Sequence, residues 1–418
     1  MNVKNVLYVV LLYFFSITLY FITNYSYNIC IIPLASFILG AITVFRFRYK
    51  TLIAFILFFI LLFPFDFLLV YYSGVKFFPG YDFNNINIVF LCLLLFQSTI
   101  FYISPPKIMS YNYDFEAIKS DLILYILIFI YAVGVLLLSG GNIFNSTESY
   151  DLYQDNLNAG SGLYEYLIML SCLIVLFKKN KKQKIIFIFF LSLYVIKTVL
   201  FGFRVQAIMQ FIVLYIVVIN RDLKPYMLFI ALGGGFLLIL SYGFMKEGMN
   251  FDNINLSLLI DTRYGYAQSH QQGVLSSSTA ILNYTNEINY KLFNIPSVFM
   301  ASILPRGLVG DIIPWAYPAA FVKQFQYTPG GGLFIVQIYF LFGFTGLFIS
   351  SILITFLINK ICNQRYKNRL IVCFSLILVV FFPRWISYDF FNYFMRSSIM
   401  VFCTVLVIDL IIKGLRNE

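Results

Sequence analysis

The chain is short of charge. Lysine, arginine, aspartate and glutamate make up 11% of its 418 residues, against 61% hydrophobic residues and 20% aromatics. A water-soluble fold of this length with so few charges would expose one continuous apolar surface, so a soluble globular class is excluded. Histidine is almost missing, with one in the chain, and the six cysteines (30, 92, 172, 362, 373 and 403) fall in apolar runs or a basic loop. There is no Cys/His clustering of the kind that binds zinc. None of the cysteines lies in the long polar stretch where a disulfide framework would be of use. The phosphate-cradling Gly-x-x-x-x-Gly-Lys-Ser/Thr sequence and the Gly-x-Ser-x-Gly elbow are also missing. Gly233, Gly234 and Gly235 lie inside an apolar run and read as a close helix-packing site.

What the chain does have is apolar runs of about 20 residues, each long enough to cross the hydrocarbon of a bilayer. Twelve candidate helices fall near 6–23, 27–45, 51–72, 86–104, 121–139, 164–177, 185–201, 205–220, 226–244, 331–358, 370–383 and 397–413. The expected fold class is an all-α polytopic membrane protein of about 12 transmembrane helices with one long extracytoplasmic loop. Three parts follow: helices 1–9 over 1–244, the loop over 245–330, and helices 10–12 over 331–418. The first run starts at Val6, has no small-residue cleavage site and reads as a retained helix.

The net charge of +11 is distributed as a topology signal rather than as a nucleic-acid face. With the N-terminus in the cytoplasm, the inner loops carry "RFRYK" (46–50), Lys107, Lys119, "KKNKKQK" (178–184), Arg221, Lys224 and "NKICNQRYKNR" (359–369). With Lys4, Lys413 and Arg416 these make 19 of the 29 basic residues, while the outer loop 140–163 has none. The positive-inside rule then puts both termini in the cytoplasm. The polar stretch from Met245 to Gly330 lies outside, and its short apolar pieces read as interfacial or re-entrant elements.

Five arginines break the charge rule by falling on the outer side: Arg204, Arg263, Arg306, Arg384 and Arg396. Guanidinium keeps its charge when partly buried and grips phosphate oxygens with two prongs, so such a cluster suits an anionic lipid head group. Structural pairing with lipid phosphates, or with Asp82, Glu247, Asp252, Asp261, Asp311 and Asp389, accounts for single arginines less specifically. His270 lies in the same outer stretch. A helix over 261–272 would set it on one face with Arg263, seven residues away. The free pKa of histidine, near neutrality, fits a proton acceptor, with Asp261, Glu247, Asp252 and Asp311 as rivals. Asp66 and Lys197, each within an apolar run, read as one structural pair. Asp409 and Lys413, four apart, read as a second pair.

Three stretches carry a family resemblance: "LFGFRVQ" (200–206), "SILPRGLVGD" (302–311) and "PGGGLFIVQIYFLFGFTGLF" (329–348). Together they resemble the Wzy-type O-antigen polymerases. In that family a Gly-Arg turn follows a middle span, a Pro-Arg pair sits late in a periplasmic loop, and a glycine-rich entry opens a span with an aromatic-Gly-x-x-Gly pattern. Gln337 stands where an acidic residue is expected. The resemblance implies a GT-C-like enzyme that joins undecaprenyl-pyrophosphate-linked repeat units. Arg204, Arg263 and Arg306 would be the leading pyrophosphate contacts, joined by Arg384 and Arg396.

The implied reaction needs charge neutralisation and a base. No dense carboxylate cluster marks a magnesium site, so the expectation is a metal-independent enzyme without cofactors. Trp315, Tyr317, Tyr327 and Trp385 suit stacking on sugar rings, and interfacial anchoring equally. The implied setting is the bacterial inner membrane. The implied partners are the lipid-linked oligosaccharide, membrane lipids, a chain-length determinant and a repeat-unit flippase. An O-antigen ligase and a flippase-type transporter are the competing readings.

Overall fold

A computed structural model of the chain describes residues 30–103, 115–137, 164–200, 203–245, 269–285, 294–304, 312–328, 331–363 and 368–417, together with 10, 11, 13, 14, 17, 18, 113, 266 and 267. The first helices are α1 (Ile31–Arg46), α2 (Thr51–Ser73), α3 (Phe83–Ile103) and α4 (Asp121–Leu137). They are followed by α5 (Tyr164–Val175), α6 (Lys181–Leu200), α7 (Arg204–Val218) and α8 (Pro225–Met245). Next come α9 (His270–Asn283), α10 (Ile295–Ile303), a 3-10 turn at Pro314–Ala316, α11 (Pro318–Val322) and α12 (Phe334–Asn363). The chain ends with α13 (Arg369–Val380), α14 (Phe382–Ser387), a π-helical turn at Phe391–Arg396 and α15 (Ser397–Asn417).

The described residues are mostly helical and form no strand beyond an isolated bridge between Ile118 and Phe177. Four segments are long and apolar enough to cross a membrane: Thr51–Ser73, Phe83–Ile103, Phe334–Cys362 and Phe391–Gly414. Shorter apolar helices accompany them. The chain is a helical membrane protein. Of the first expected segment, 6–23, residues 10, 11, 13, 14, 17 and 18 are described and helical, and the rest lie outside the described residues.

The helices gather into two compact units that do not follow chain order. One takes residues 1–109, 255–363 and 384–396, the other 110–254, 364–383 and 397–418. In the first unit α3 is central, with 78% of its apolar window buried, and it packs against α1, α9 and α12. The Ser36 hydroxyl donates to Gln97 Oε1 (3.0 Å) inside this packing.

The helix α9 departs from the expected surface element. Its sequence HQQGVLSSSTAILN is weakly apolar, yet every side chain from Gln272 to Leu282 is buried. Small residues let neighbouring helices approach closely, and their hydroxyls find partners. Ser278 donates to the Val274 carbonyl (2.7 Å) and accepts from the Leu333 N–H (2.8 Å). Thr279 donates to the Ser276 carbonyl (2.9 Å) and accepts from the Asp82 N–H (3.3 Å). The α2–α3 loop and the first turn of α3 clamp the same helix, Ser276 donating to the Pro79 carbonyl (3.3 Å) and the Asn85 amide donating to Asn283 Oδ1 (2.5 Å). The α9 stretch of the long polar segment therefore belongs to the core of the first unit.

In the second unit α6 packs on α4 and α7, and α13 on α7 and α15. Asp409 pairs with Arg369, which corrects the expected Asp409–Lys413 pair: a guanidinium at the start of α13 reaches the carboxylate first. A Cβ at Gly233, Gly234 or Gly235 would meet nothing within 4 Å among the described residues, so these glycines do not mark a close helix contact there.

Candidate functional site

The glycine-rich entry to α12 is a backbone dock. Gly331 has φ +83, and a Cβ there would collide with the Ser387 carbonyl, so only glycine fits. The Gly332 N–H donates to that carbonyl (2.9 Å). Buried Gln337 completes the joint: its Nε2 donates to the carbonyls of Gly332 (2.8 Å) and Tyr388 (2.7 Å), and its Oε1 accepts from the Phe390 N–H (3.3 Å). A carboxylate has no protons for two carbonyls, which explains glutamine where an acid was expected. Further along α12, Gly343 adopts φ 67 and ψ −164 and interrupts the helix within the aromatic-Gly-x-x-Gly pattern.

This joint fixes the turn between α14 and α15, which carries two of the expected arginines. Arg384 lies with its guanidinium over the rings of Tyr388 (4.7 Å) and Tyr393 (5.2 Å), a stacking that orients its plane. The other face of the joint is α9. There the His270 ring meets the Tyr388 ring at 5.6 Å between centroids, so Tyr388 links histidine to guanidinium. Arg396 closes the π-helical turn and donates to the Leu304 carbonyl, one residue before Pro305-Arg306. Single π turns recur at functional sites because they re-aim side chains.

Asp389 starts that π turn. It accepts from the N–H groups of Phe391 and Asn392 (both 3.0 Å) and from the Asn392 amide (2.7 Å). Burial raises its carboxyl above the usual range, opposed by these hydrogen bonds and by the nearby Arg396 charge. Asp82 caps α3 in the same way, accepting from the Asn84 N–H (2.9 Å). Both acids belonged to the alternative reading in which the arginines pair structurally; both serve helix starts, and Asp389 also lies near the Arg396 charge.

Ser269 caps α9, accepting from the Gln272 N–H (2.9 Å), so the helix starts at His270 rather than running over 261–272. Beneath this cap lies Asp66, which accepts from Ser269 Oγ (2.9 Å) and Gln272 Nε2 (2.7 Å). Within its own unit these neutral donors are the hydrogen-bond partners of Asp66. Lys197 belongs to the other unit, where it is buried. Tyr81 is buried in the first unit. Burial, and then the Asp66 charge, hold its phenol well above the ordinary value.

The aromatic expectations divide. Trp385 has 0% of its surface exposed and is enclosed by Phe334, Phe390 and Phe394, so it packs the core and offers no face to a sugar. Tyr317 is likewise buried, its hydroxyl donating to the Ala301 carbonyl (2.9 Å). Trp315 is half-buried, and Tyr327 is 71% exposed. Arg204 begins α7, with its side chain outside the described residues; Glu247, Asp261, Arg263, Arg306 and Asp311 lie outside them altogether. Sequence reading missed Tyr388 and Gln337 as organisers. The Pro-Gly-Gly-Gly run ahead of a lone polar residue in an apolar span was the available signal.

Fold and site together define a helical membrane protein with an arginine-, tyrosine- and histidine-bearing cluster in one compact unit. No protein-family model, curated protein or solved structure matches the chain.

Proposed function

We propose that this protein is an O-antigen polymerase, a glycosyltransferase that joins undecaprenyl-pyrophosphate-linked oligosaccharide repeat units at the outer face of a bacterial inner membrane. One observation carries the reading: the contact chain from His270 through Tyr388 to Arg384, with Arg396 held on Leu304 just ahead of Pro305-Arg306. An imidazole and a guanidinium meet on one tyrosine, with a second guanidinium later in the same segment, and transfer from a lipid pyrophosphate would use such a base and such cations. The resemblance of 200–206, 302–311 and 329–348 to the polymerase family supports it. In this reading the helices make about twelve spans of a GT-C-like fold with cytoplasmic termini, and a flippase and a chain-length determinant act alongside.

The non-reducing-end hydroxyl of one repeat unit attacks the anomeric carbon of the other. Its proton passes to a base, for which exposed His270 is the leading group, with Asp261, Glu247 and Asp311 as rivals. The carbon–oxygen bond to the pyrophosphate breaks, and its electron pair leaves on the phosphate oxygen. Preorganised guanidinium groups meet that charge, the role a divalent cation fills elsewhere, so the reaction runs without metal. The chain grows at its reducing end and undecaprenyl pyrophosphate is released.

Purified protein supplied with lipid-linked repeat units tests this. A product ladder that persists in chelator is the expected result. Transfer only to a lipid A-core acceptor would identify a ligase, and vesicle flux without bond formation a transporter.

A further inference from the structure

The second unit contains a cavity of about 160 Å³ lined by Tyr113, Phe115, Glu116, Lys179, Lys184 and Asn220, with Val175, Ile216 and Val217 as apolar wall. It lies at the C-terminal ends of α5 and α7 and the first turn of α6. The surrounding backbone is firmly knitted. The N–H groups of Ala117 and Ile118 donate to the Leu176 carbonyl (2.8 and 3.0 Å), and the Tyr113 N–H donates to Asn220 (3.0 Å). Asn180 and Gln183 cap the start of α6 reciprocally (2.8 and 2.9 Å). The cavity is thus built into the fold rather than left by a loose loop.

Among the described lining side chains two ammonium groups face one carboxylate, and Asp222 stands behind the wall, where it accepts from the Tyr113 hydroxyl. Lys179, with 5% of its side chain exposed, donates to the carbonyls of Ile174 (3.2 Å), Val175 (3.1 Å) and Phe177 and pairs with Glu116 (3.4 Å). That carboxylate answers one ammonium, and Lys184 brings a second close enough to be felt by the first. Burial, with the Lys184 charge opposing Glu116, holds Lys179 down at about 8. An anion between Lys184 and the Asn220 amide would restore balance. The lysine run 178–184 is on the face the positive-inside rule turns to the cytoplasm, where anionic lipids concentrate.

We propose that this cavity seats the phosphodiester head group of an anionic lipid, with Lys184 and Asn220 at the phosphate and Val175, Ile216 and Val217 along the start of the acyl chains. The site is independent of the polymerase reading, since it lies in the other unit and carries no part of the transfer chemistry.

The test uses full-length protein in detergent, probed separately with phosphatidylglycerol, phosphatidylcholine and inorganic phosphate, reading bound lipid by native mass spectrometry and thermal shift. Wild type retains phosphatidylglycerol over phosphatidylcholine. Lys184→Ala lowers that retention about fivefold, the scale of one basic residue near an anionic surface. Lys184→Arg keeps it, and Lys181→Ala, outside the cavity lining, leaves it unchanged. Each variant is first checked for a monodisperse, helical state. Equal losses in Lys181→Ala and Lys184→Ala, or no loss in either, would overturn the site. A thermal shift with inorganic phosphate as large as that with phosphatidylglycerol would overturn the lipid assignment.

Discussion

The turn between α14 and α15 and the turn between α5 and α6 both hold cations at helix ends, and they hold them differently. Lys179 is surrounded by three carbonyls and a carboxylate, every one supplied by the protein. It behaves as a point charge closing the C-terminal end of α5, where carbonyls lack helical partners. Arg384 and Arg396 are oriented instead. Arg384 lies over two tyrosine faces, and Arg396 donates to the Leu304 carbonyl with the Asp389 carboxylate nearby. A planar, oriented guanidinium suits an arriving phosphate, whereas a saturated ammonium suits a fold.

If that distinction holds, the two turns fail in opposite ways on mutation. The largest effect is expected at Arg396. Arg396→Ala should cut polymer formation about 10²–10³-fold, the range for losing one preorganised charge-stabilising donor, with stability lowered by only about 1 kcal/mol. Product ladders and thermal unfolding on the same preparation read both quantities. Normal ladders would move Arg396 to the structural class of Lys179.

The converse is expected at Lys179. Lys179→Met keeps length but removes every donor, leaving the α5 carbonyls facing the cavity. The expected cost is about 2 kcal/mol of stability, with turnover per folded molecule unchanged. A drop in turnover at full thermal stability would break the comparison from the other side.

The sequence makes the helices legible because apolar runs of membrane length leave little choice of structure. The segment that carries Arg384 and Arg396 drew attention in the sequence because its basic residues stand out against the charge rule. The fate of α9 was not. Its Ser-Ser-Ser-Thr run reads as polar loop until the partners are known: Pro79, Asp82 and Leu333 supply its hydrogen bonds from distant parts of the chain. Gln337 likewise looks like a missing acid until two carbonyls are seen to need its protons. Asp66 was matched to Lys197 by charge, and the neutral donors Ser269 and Gln272 that reach it within its own unit were not foreseen. Sequence spacing shows which groups are costly to bury and does not show which partner reaches them first.

The aromatics give the smallest expected effect and a discriminating one. Trp385 and Tyr327 are indistinguishable on the sequence, each a large ring near a presumed membrane surface. Enclosed Trp385 has no face to offer a ligand, whereas Tyr327, at 71% exposure, has one and makes little packing contribution. Tyr327→Ala should therefore leave stability within about 0.5 kcal/mol, the usual range for an exposed site. A ring stacked on a sugar would show up as a rise of a few-fold in KM for the lipid-linked substrate at unchanged kcat, since stacking of this kind is uniform binding. An unchanged KM would assign Tyr327 to interfacial anchoring, and the acceptor sugar would then have to be held by groups nearer Tyr388.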